Sequence, residues 1–331
     1  MSKDLLYPMD ELKNCVDTLD YDYVLCVQDT FYDGKMNLMQ KCEIPTEKLI
    51  SFADVTTMGN FQTERPLRYY KAHSQEYEIF ATGTSYAETA IDVRKFKRKA
   101  INLATSSQDL YYNFQIAKAL VSMQGENKKL RYALIGLAPY SFHFDLSKTF
   151  VLKCRILPYF IVFNDVHNFP IPADVYKNFI RKEWLAKKFP LKNVNLNGVK
   201  SPKVMANPLD NNDGIRPWTG KYYQETHDEN IKILDDYLTL CEKNNIRPVM
   251  FMAPLTEKYI ANFNKQLLDE FYDLVGQARQ KHPSALFVDG YKWKGTTYAD
   301  FYDHQHVNFR GAAKFSTYLN NFIENLEKRG G

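Results

Sequence analysis

The sequence predicts an α/β fold, with five parallel strands in one sheet and helices on both faces. Three observations lead there. From residue 76 onward, short apolar runs of strand length alternate with segments whose apolar residues recur at helix spacing. Several runs stop at a chain breaker, as at Gly83, Pro139 and Pro254. No internal repeat of 20–50 residues competes with this rhythm.

Residues 1–75 fit it least and read as an N-terminal extension packing on a main domain of residues 76–331. Within the extension, Asp20–Gln28 reads as a strand and Thr46–Ala53 as a short helix. The regular part then opens with a strand over Tyr77–Thr82, broken at Gly83, and a helix from about Tyr86. Ala100–Leu103 is a short strand. Asp109–Met123 is a helix, with Leu110, Phe114, Ala117 and Val121 on one face. Arg131–Gly136 is the third strand. There the rhythm stops, and residues 141–223 form a large insertion. It holds one predicted helix, Ala173–Lys188, and a long Asn-, Pro- and Gly-rich stretch over Pro190–Pro217. Loops of this length in compact domains are usually functional or disordered. The rhythm resumes with an amphipathic helix over Asn230–Lys243, a strand over Arg247–Met252, a helix over Asn262–Gln280, a strand over Ala285–Asp289 and a helix over Arg310–Leu326.

The composition narrows the function classes. The chain has 331 residues, 45% of them hydrophobic and 25% charged, as in an ordinary globular protein. A net charge of +4 is too mild to imply nucleic acid. The sharpest charge feature is Arg94-Lys95-Phe96-Lys97-Arg98-Lys99, read first as a solvated helix end and second as an anion or headgroup contact. Five widely spaced cysteines without Cys-x-x-Cys argue against a disulfide framework or a zinc knuckle. No stretch suits a membrane span or a signal core, so the cytoplasm is the simplest compartment. Neither Gly-x-Gly-x-x-Gly nor a Walker loop is present, so no nucleotide cofactor is expected. Oligomeric state is left open.

Two short stretches carry chemistry. The first is Gly83-Thr84-Ser85, between a strand and a helix start, where unpaired N–H groups favour a developing anion. Ser85 there is a candidate nucleophile, against the bland reading of a helix cap. Ala87 stands where the Gly-x-Ser-x-Gly elbow has its second glycine. The second stretch is Asp303-His304-Gln305-His306-Val307-Asn308-Phe309-Arg310-Gly311-Ala312, just before the final predicted helix. His306 would take the serine's proton and Asp303 would orient its ring. A competing assignment gives Asp303, His304 and His306 to a metal such as zinc.

A serine after the first strand and Asp-x-x-His before the last helix together resemble the SGNH (GDSL-like) hydrolases. The wording of both ends is similar to the branch related to D-alanine-transfer and alginate O-acetylation proteins, over roughly residues 76–140 and 225–327. The resemblance implies a three-layer, flavodoxin-like fold with Ser85, Asp303 and His306 as catalytic residues and no metal. It also implies further oxyanion donors, a glycine after the second strand and an asparagine after the third. Neither is present here, so Ala104, Thr105, Gln108, Tyr140 and Ser141 stand as substitutes. The implied activity is an O-acyl esterase or O-acyltransferase, acetyl above all, on a bacterial cell-surface carbohydrate or its precursor. Acetyl-CoA is then a candidate acyl donor. The alternative is a non-catalytic module on the same scaffold. The aromatics and lysines of the insertion are assigned either to acceptor choice or to a satellite core.

Overall fold

The computed structural model describes residues 63–149, 195–208 and 224–330 continuously. It also describes 11–18, 20–22, 24–26, 42–45, 48–51, 210–212 and single positions elsewhere. The chain forms two compact units, residues 1–64 with 150–190 and residues 65–149 with 191–331. Residues 65–75, expected with the N-terminal extension, therefore lie in the larger unit. The insertion is divided between the two.

The smaller unit contains helix α1 (Leu12–Thr18) and strands β1 (Val24–Cys26) and β2 (Leu49–Ser51). The strands pair in parallel, Val24 opposite Leu49. β2 lies in the segment predicted as helix. Leu49 and Ile50 are apolar enough for either state, and a parallel partner about 25 residues away decided it. Leu38, Cys42, Ile44, Ile156 and Tyr159 are buried there. The predicted helix over Ala173–Lys188 lies outside the described residues.

Helix α2 (Glu64–His73), all but its first residue in the larger unit, was concealed by the irregular N-terminal pattern. The sheet of that unit contains β3 (Ile79–Thr82), β4 (Ala100–Asn102), β5 (Tyr132–Leu137), β6 (Arg247–Met252) and β7 (Leu286–Asp289). All pairs are parallel, in the order β4-β3-β5-β6-β7. The helices are α3 (Ser85–Ala90), α4 (Leu110–Ser122), α5 (His227–Lys243), α6 (Glu257–Ile260), α7 (Lys265–Lys281) and α8 (Phe309–Gly330). α4, α5 and α7 form one layer, and α3 packs with α8 in the other. This is the three-layer α/β/α fold predicted from the sequence. β3 to β6 are buried almost throughout, which is why they read as continuous apolar runs. No described helix is long and apolar enough to cross a membrane.

The strand order reverses beside β3. The chain leaves β3 for β4 on one side, then returns past it to β5 on the other. In open parallel sheets the crevice at such a reversal, outside the carboxyl ends of the strands, is where ligands bind. The residues that follow β3 face it.

The turn from β3 into α3 depends on close packing. Gly83 has φ +146°, a conformation that side chains rarely adopt. A Cβ on Gly136 of β5 would lie 2.4 Å from the Ala87 Cβ. The small residue that the elbow pattern wants at position 87 is thus supplied by glycine on the neighbouring strand.

The basic run Arg94–Lys99 begins at the end of a 3₁₀ turn, Val93–Lys95, and most of its side chains are paired. Arg94 pairs with Asp92, Arg98 with Glu78 and Glu327, and Lys99 with Glu76, while Lys97 lies 3.8 Å from Glu324. These pairs tie the β4 approach to α8 and to the start of β3.

Residues 195–208 and 210–212 run as a strap along the carboxyl edge. Asn102 N–H donates to Leu196 O, Val93 N–H to Asn197 Oδ1, Phe309 N–H to Ser201 O and Met205 N–H to Phe301 O. Lys200 Nζ donates to Glu88 O at 2.9 Å and Asn197 O at 2.5 Å. Gly198, with φ +68°, would bring a Cβ to 2.3 Å from Glu88 O.

Two stability outcomes follow from this packing. Gly136→Ala should cost about 1–3 kcal/mol through overpacking. Adding Ala87→Gly should relieve the contact, so the double variant is more stable than the two single losses summed, despite the helix penalty of glycine. Chemical denaturation of the three variants measures this; strict additivity would show that the two positions do not meet. The other outcome concerns Lys200, whose ammonium burial pulls down to about 8 against the opposing pull of Asp92 and Glu88. Between that value and the ordinary lysine value the unfolded chain holds more protons, so this group's contribution to stability rises with pH. The stability of the wild type relative to Lys200→Met should therefore grow by about 2 kcal/mol from pH 7.5 to pH 10. A constant difference would mean that Lys200 is solvated.

Candidate active site

Ser85 is the first residue of α3, and Thr84 caps the helix by accepting the Tyr86 N–H at 3.4 Å. With the cap supplied by its neighbour, the Ser85 hydroxyl is available. Its Oγ lies 2.9 Å from His306 Nε2 across a sequence separation of 221 residues. As the opening residue of the helix, Ser85 also presents an N–H that has no intrahelical acceptor.

The loop that brings His306 there is built from its own ends. Phe301 and Val307 form an antiparallel bridge, and Tyr302 N–H donates to His306 O at 3.1 Å. Asn308 holds the base of this turn. Its Nδ2 donates to Ala299 O and Phe301 O, and its Oδ1 accepts from the N–H groups of Arg310 and Gly311 at the start of α8. Gly311 is required because a Cβ would lie 2.4 Å from Asp300 O. Buried Asp300 accepts from Thr297 N–H and from Lys314 Nζ, at 2.8 and 2.7 Å.

Within the loop, His306 Nδ1 lies 2.9 Å from both Asp303 oxygens. Asp303 Oδ1 also accepts from the N–H groups of Gln305 and His306. Burial alone would push the Asp303 carboxyl up. The His306 hydrogen bond and charge, with the two N–H groups, outweigh it and hold the carboxyl below its usual range. An ionised Asp303 fixes the proton on Nδ1 and leaves the Nε2 lone pair for the serine O–H.

Two tyrosines frame the imidazole. Tyr302 stacks on it with centroids 5.4 Å apart and planes 8° apart, and Tyr86 lies 5.5 Å away on a tilted plane. The Tyr86 hydroxyl donates to Gln305 Oε1 at 3.3 Å and lies 3.2 Å from the Tyr259 hydroxyl. Glu88, one turn along α3, is buried and accepts from Ser106 Oγ. Burial raises its carboxyl, countered by Ser106 and by the charges of Lys200 and His306. Sequence periodicity marked none of these three residues. For Tyr302, adjacency to Asp303 was the one available signal.

Three of the five substitute oxyanion donors, Ala104, Thr105 and Gln108, are engaged within the protein. Ala104 N–H donates to Asn102 Oδ1 at 3.0 Å and Thr105 N–H to Gly83 O at 3.1 Å. Gln108 is fully buried, its Nε2 donating to Leu103 O and Asn113 Oδ1. Ser141 Oγ accepts from Ala138 N–H, closing the turn after β5. Tyr140 is buried, packed edge-on against Tyr86 and Phe144. Phe142 and Phe144 are also fully buried, so the opening of the insertion supplies core, not an exposed aromatic face.

His304, the other half of the metal assignment, points away from the serine. It is fully buried, with Nδ1 2.9 Å from Thr256 Oγ1 and Nε2 2.8 Å from Asn211 O. The carbonyl requires the proton on Nε2, so Nδ1 accepts from Thr256. Both nitrogens are occupied in joining the loop to the start of α6 and to the strap.

No family model matches the sequence, and no curated protein does either. Among solved structures, one from Streptococcus pneumonia, named provisionally as a platelet activating factor, is similar over 81% of this chain and 97% of its own. It shows 9% identity and a TM-score of 0.42. An acetyl xylan esterase, Est2A, from the rumen bacterium Butyrivibrio proteoclasticus is similar over 76% of this chain and 64% of its own, at 8% identity and a TM-score of 0.36.

Proposed function

We propose that this chain is a serine-dependent O-acyl esterase or O-acyltransferase of the SGNH type, with Ser85 as nucleophile, His306 as base and Asp303 as orienter. The observation that carries the reading is the unbroken relay of 2.9 Å contacts from Asp303 through His306 to Ser85 Oγ. It lies at the crevice where the strand order reverses.

The steps follow from the geometry. Ser85 Oγ attacks the acyl carbonyl as His306 Nε2 takes its proton. The imidazolium is stabilised by Asp303 and returns the proton to the departing alcohol oxygen, leaving an acyl-serine. Water, or a sugar hydroxyl in transfer, then attacks the acyl carbon as His306 takes its proton; the acyl–Oγ bond breaks and His306 returns the proton to Ser85 Oγ. The Ser85 N–H at the helix start is the donor nearest the developing oxyanion.

The acyl group we assign is acetyl, the acceptor or substrate a bacterial cell-surface carbohydrate, and acetyl-CoA a donor if transfer is the reaction. These finer assignments rest on the sequence resemblance. A second reading, a binding module on the same scaffold, is favoured by one observation. The N–H groups of Ala104 and Thr105 are engaged within the protein, and each missing oxyanion donor costs about 2.7–4 kcal/mol of barrier.

The test is an acyl-enzyme trap by intact mass, using p-nitrophenyl acetate and acetyl-CoA in turn. Wild type should accumulate one acetyl adduct, absent in Ser85→Ala. Hydrolysis should fall by roughly 10⁴–10⁶-fold in Ser85→Ala and in His306→Ala, and by roughly 10³–10⁴-fold in Asp303→Asn. His304→Ala should instead lower stability by about 1–3 kcal/mol, with less than about a tenfold loss of rate. Full activity in Ser85→Ala would sink the serine mechanism. No adduct from either donor, and no labelling by a serine-directed phosphonate, would establish the binding module.

A further inference from the structure

A second cluster of chemistry-bearing side chains lies apart from the serine relay. His143 comes from the turn after β5, His227 is the first residue of α5, and Glu270 projects from the middle of α7. Their ligating atoms all lie within 4.8 Å of one another. Glu270 divides its two oxygens between the imidazoles, with Oε2 2.7 Å from His143 Nε2 and Oε1 3.2 Å from His227 Nε2.

The surroundings of His227 make this more than a hydrogen-bonded trio. Its Nδ1 lies 3.1 Å from Asp228 Oδ1, so a carboxylate oxygen faces each ring nitrogen. Its Nε2 is buried, and the approach to Glu270 lacks hydrogen-bond geometry. A neutral imidazole has one N–H and one lone pair. With the N–H donating to Asp228, Nε2 keeps a lone pair that no hydrogen bond uses, although a Glu270 oxygen lies 3.2 Å away. A carboxylate outside, an imidazole, and a metal on the far nitrogen is the usual arrangement around histidine ligands.

We propose that His143, His227 and Glu270 form a binding site for a divalent zinc-class ion, which joins the turn after β5 to α5 and α7. Two imidazoles and one carboxylate suit zinc, whereas magnesium and calcium take oxygen ligands. Bonds of about 2.0–2.2 Å in a tetrahedron put ligand atoms roughly 3.3–3.5 Å apart. The two Glu270 separations need to open slightly, and that between the two histidines, within 4.8 Å, to settle in the same range. His227 and Glu270 line an open depression of about 550 Å³ together with Asp273 and the Lys265–Asp269 pair, which gives an ion a route from solvent.

The role of such an ion would be structural. Asn230 Nδ2 already donates to Phe142 O and Phe144 O, holding α5 against the same turn on either side of His143. The ion would add a bond to α7 and so fix the turn that carries Tyr140, whose ring packs on Tyr86.

The experiment uses the full chain, stripped with a chelator and titrated with zinc chloride by calorimetry, then with cobalt(II) by visible absorption. Wild type should bind one equivalent of zinc, melt at higher temperature with it, and give the intense absorption of tetrahedral cobalt. His227→Ala and Glu270→Gln should each weaken zinc by more than about a hundredfold, and Asp228→Asn by about tenfold. Ser85-dependent ester hydrolysis in the chelator-treated variants should stay within about threefold of the chelator-treated wild type. Glu270→Gln preserves side-chain shape, so the test stands even if His227→Ala fails to fold. Absence of zinc binding at millimolar concentration would overturn the site. So would binding undiminished in both His227→Ala and Glu270→Gln, since the zinc would then be held elsewhere.

Discussion

The larger unit is arranged around the close approach of α3 to the sheet. Gly83 and Gly136 leave room for Ala87, and that room sets how near the helix start comes to the carboxyl ends of β3 and β5. Ser85 is positioned by backbone alone, before any contact with its histidine. The strap and Asn102 reinforce the other end of the same helix. Asn102 Nδ2 donates to Glu88 O and Ile91 O, and Lys200 reaches Glu88 O from the opposite side. A helix of six residues is too short to be stable by itself. Here it is fixed at both ends by groups from elsewhere in the chain.

The histidine side is built by different means. No strand carries His306; a turn does, closed by the Phe301–Val307 bridge and fastened at its base by Asn308. His304 lies between Asp303 and His306 in the sequence, yet it anchors the turn through Thr256 and Asn211. Two histidines two residues apart therefore do unrelated work. One faces the crevice between two tyrosines. The other is part of the core.

Much of this architecture was legible in the sequence, for a physical reason. Strands buried on both faces must be apolar throughout, so β3, β5 and β6 announced themselves. α5 and α7 did so through helix-spaced apolar faces. Ser85 was singled out by its place between a strand broken at Gly83 and a helix start, and Asp303 and His306 by the Asp-x-x-His resemblance; the fold brings the three side chains within 2.9 Å contacts. What could not be seen depends on partners remote in sequence. β2 became a strand only by pairing with β1. The strap has no periodicity because it follows the surfaces of α3 and the 301–308 turn. Ala104 and Thr105 looked available as donors, since nothing local reveals that Asn102 and Gly83 accept from them. The engagement of His304 was hidden for the same reason: Thr256 and Asn211 are 48 and 93 residues away.

The separation of 221 residues between Ser85 and His306 has a meaning in time as well as in space. A ribosome adding about 5–20 residues per second delivers the histidine roughly 10–45 seconds after the serine. Through that interval β3, α3 and β5 can assemble, since their contacts are nearer in the sequence. The serine then stands on a formed helix without its imidazole partner. The nascent chain thus lacks the contact between His306 and Ser85 until the turn before α8 has been made.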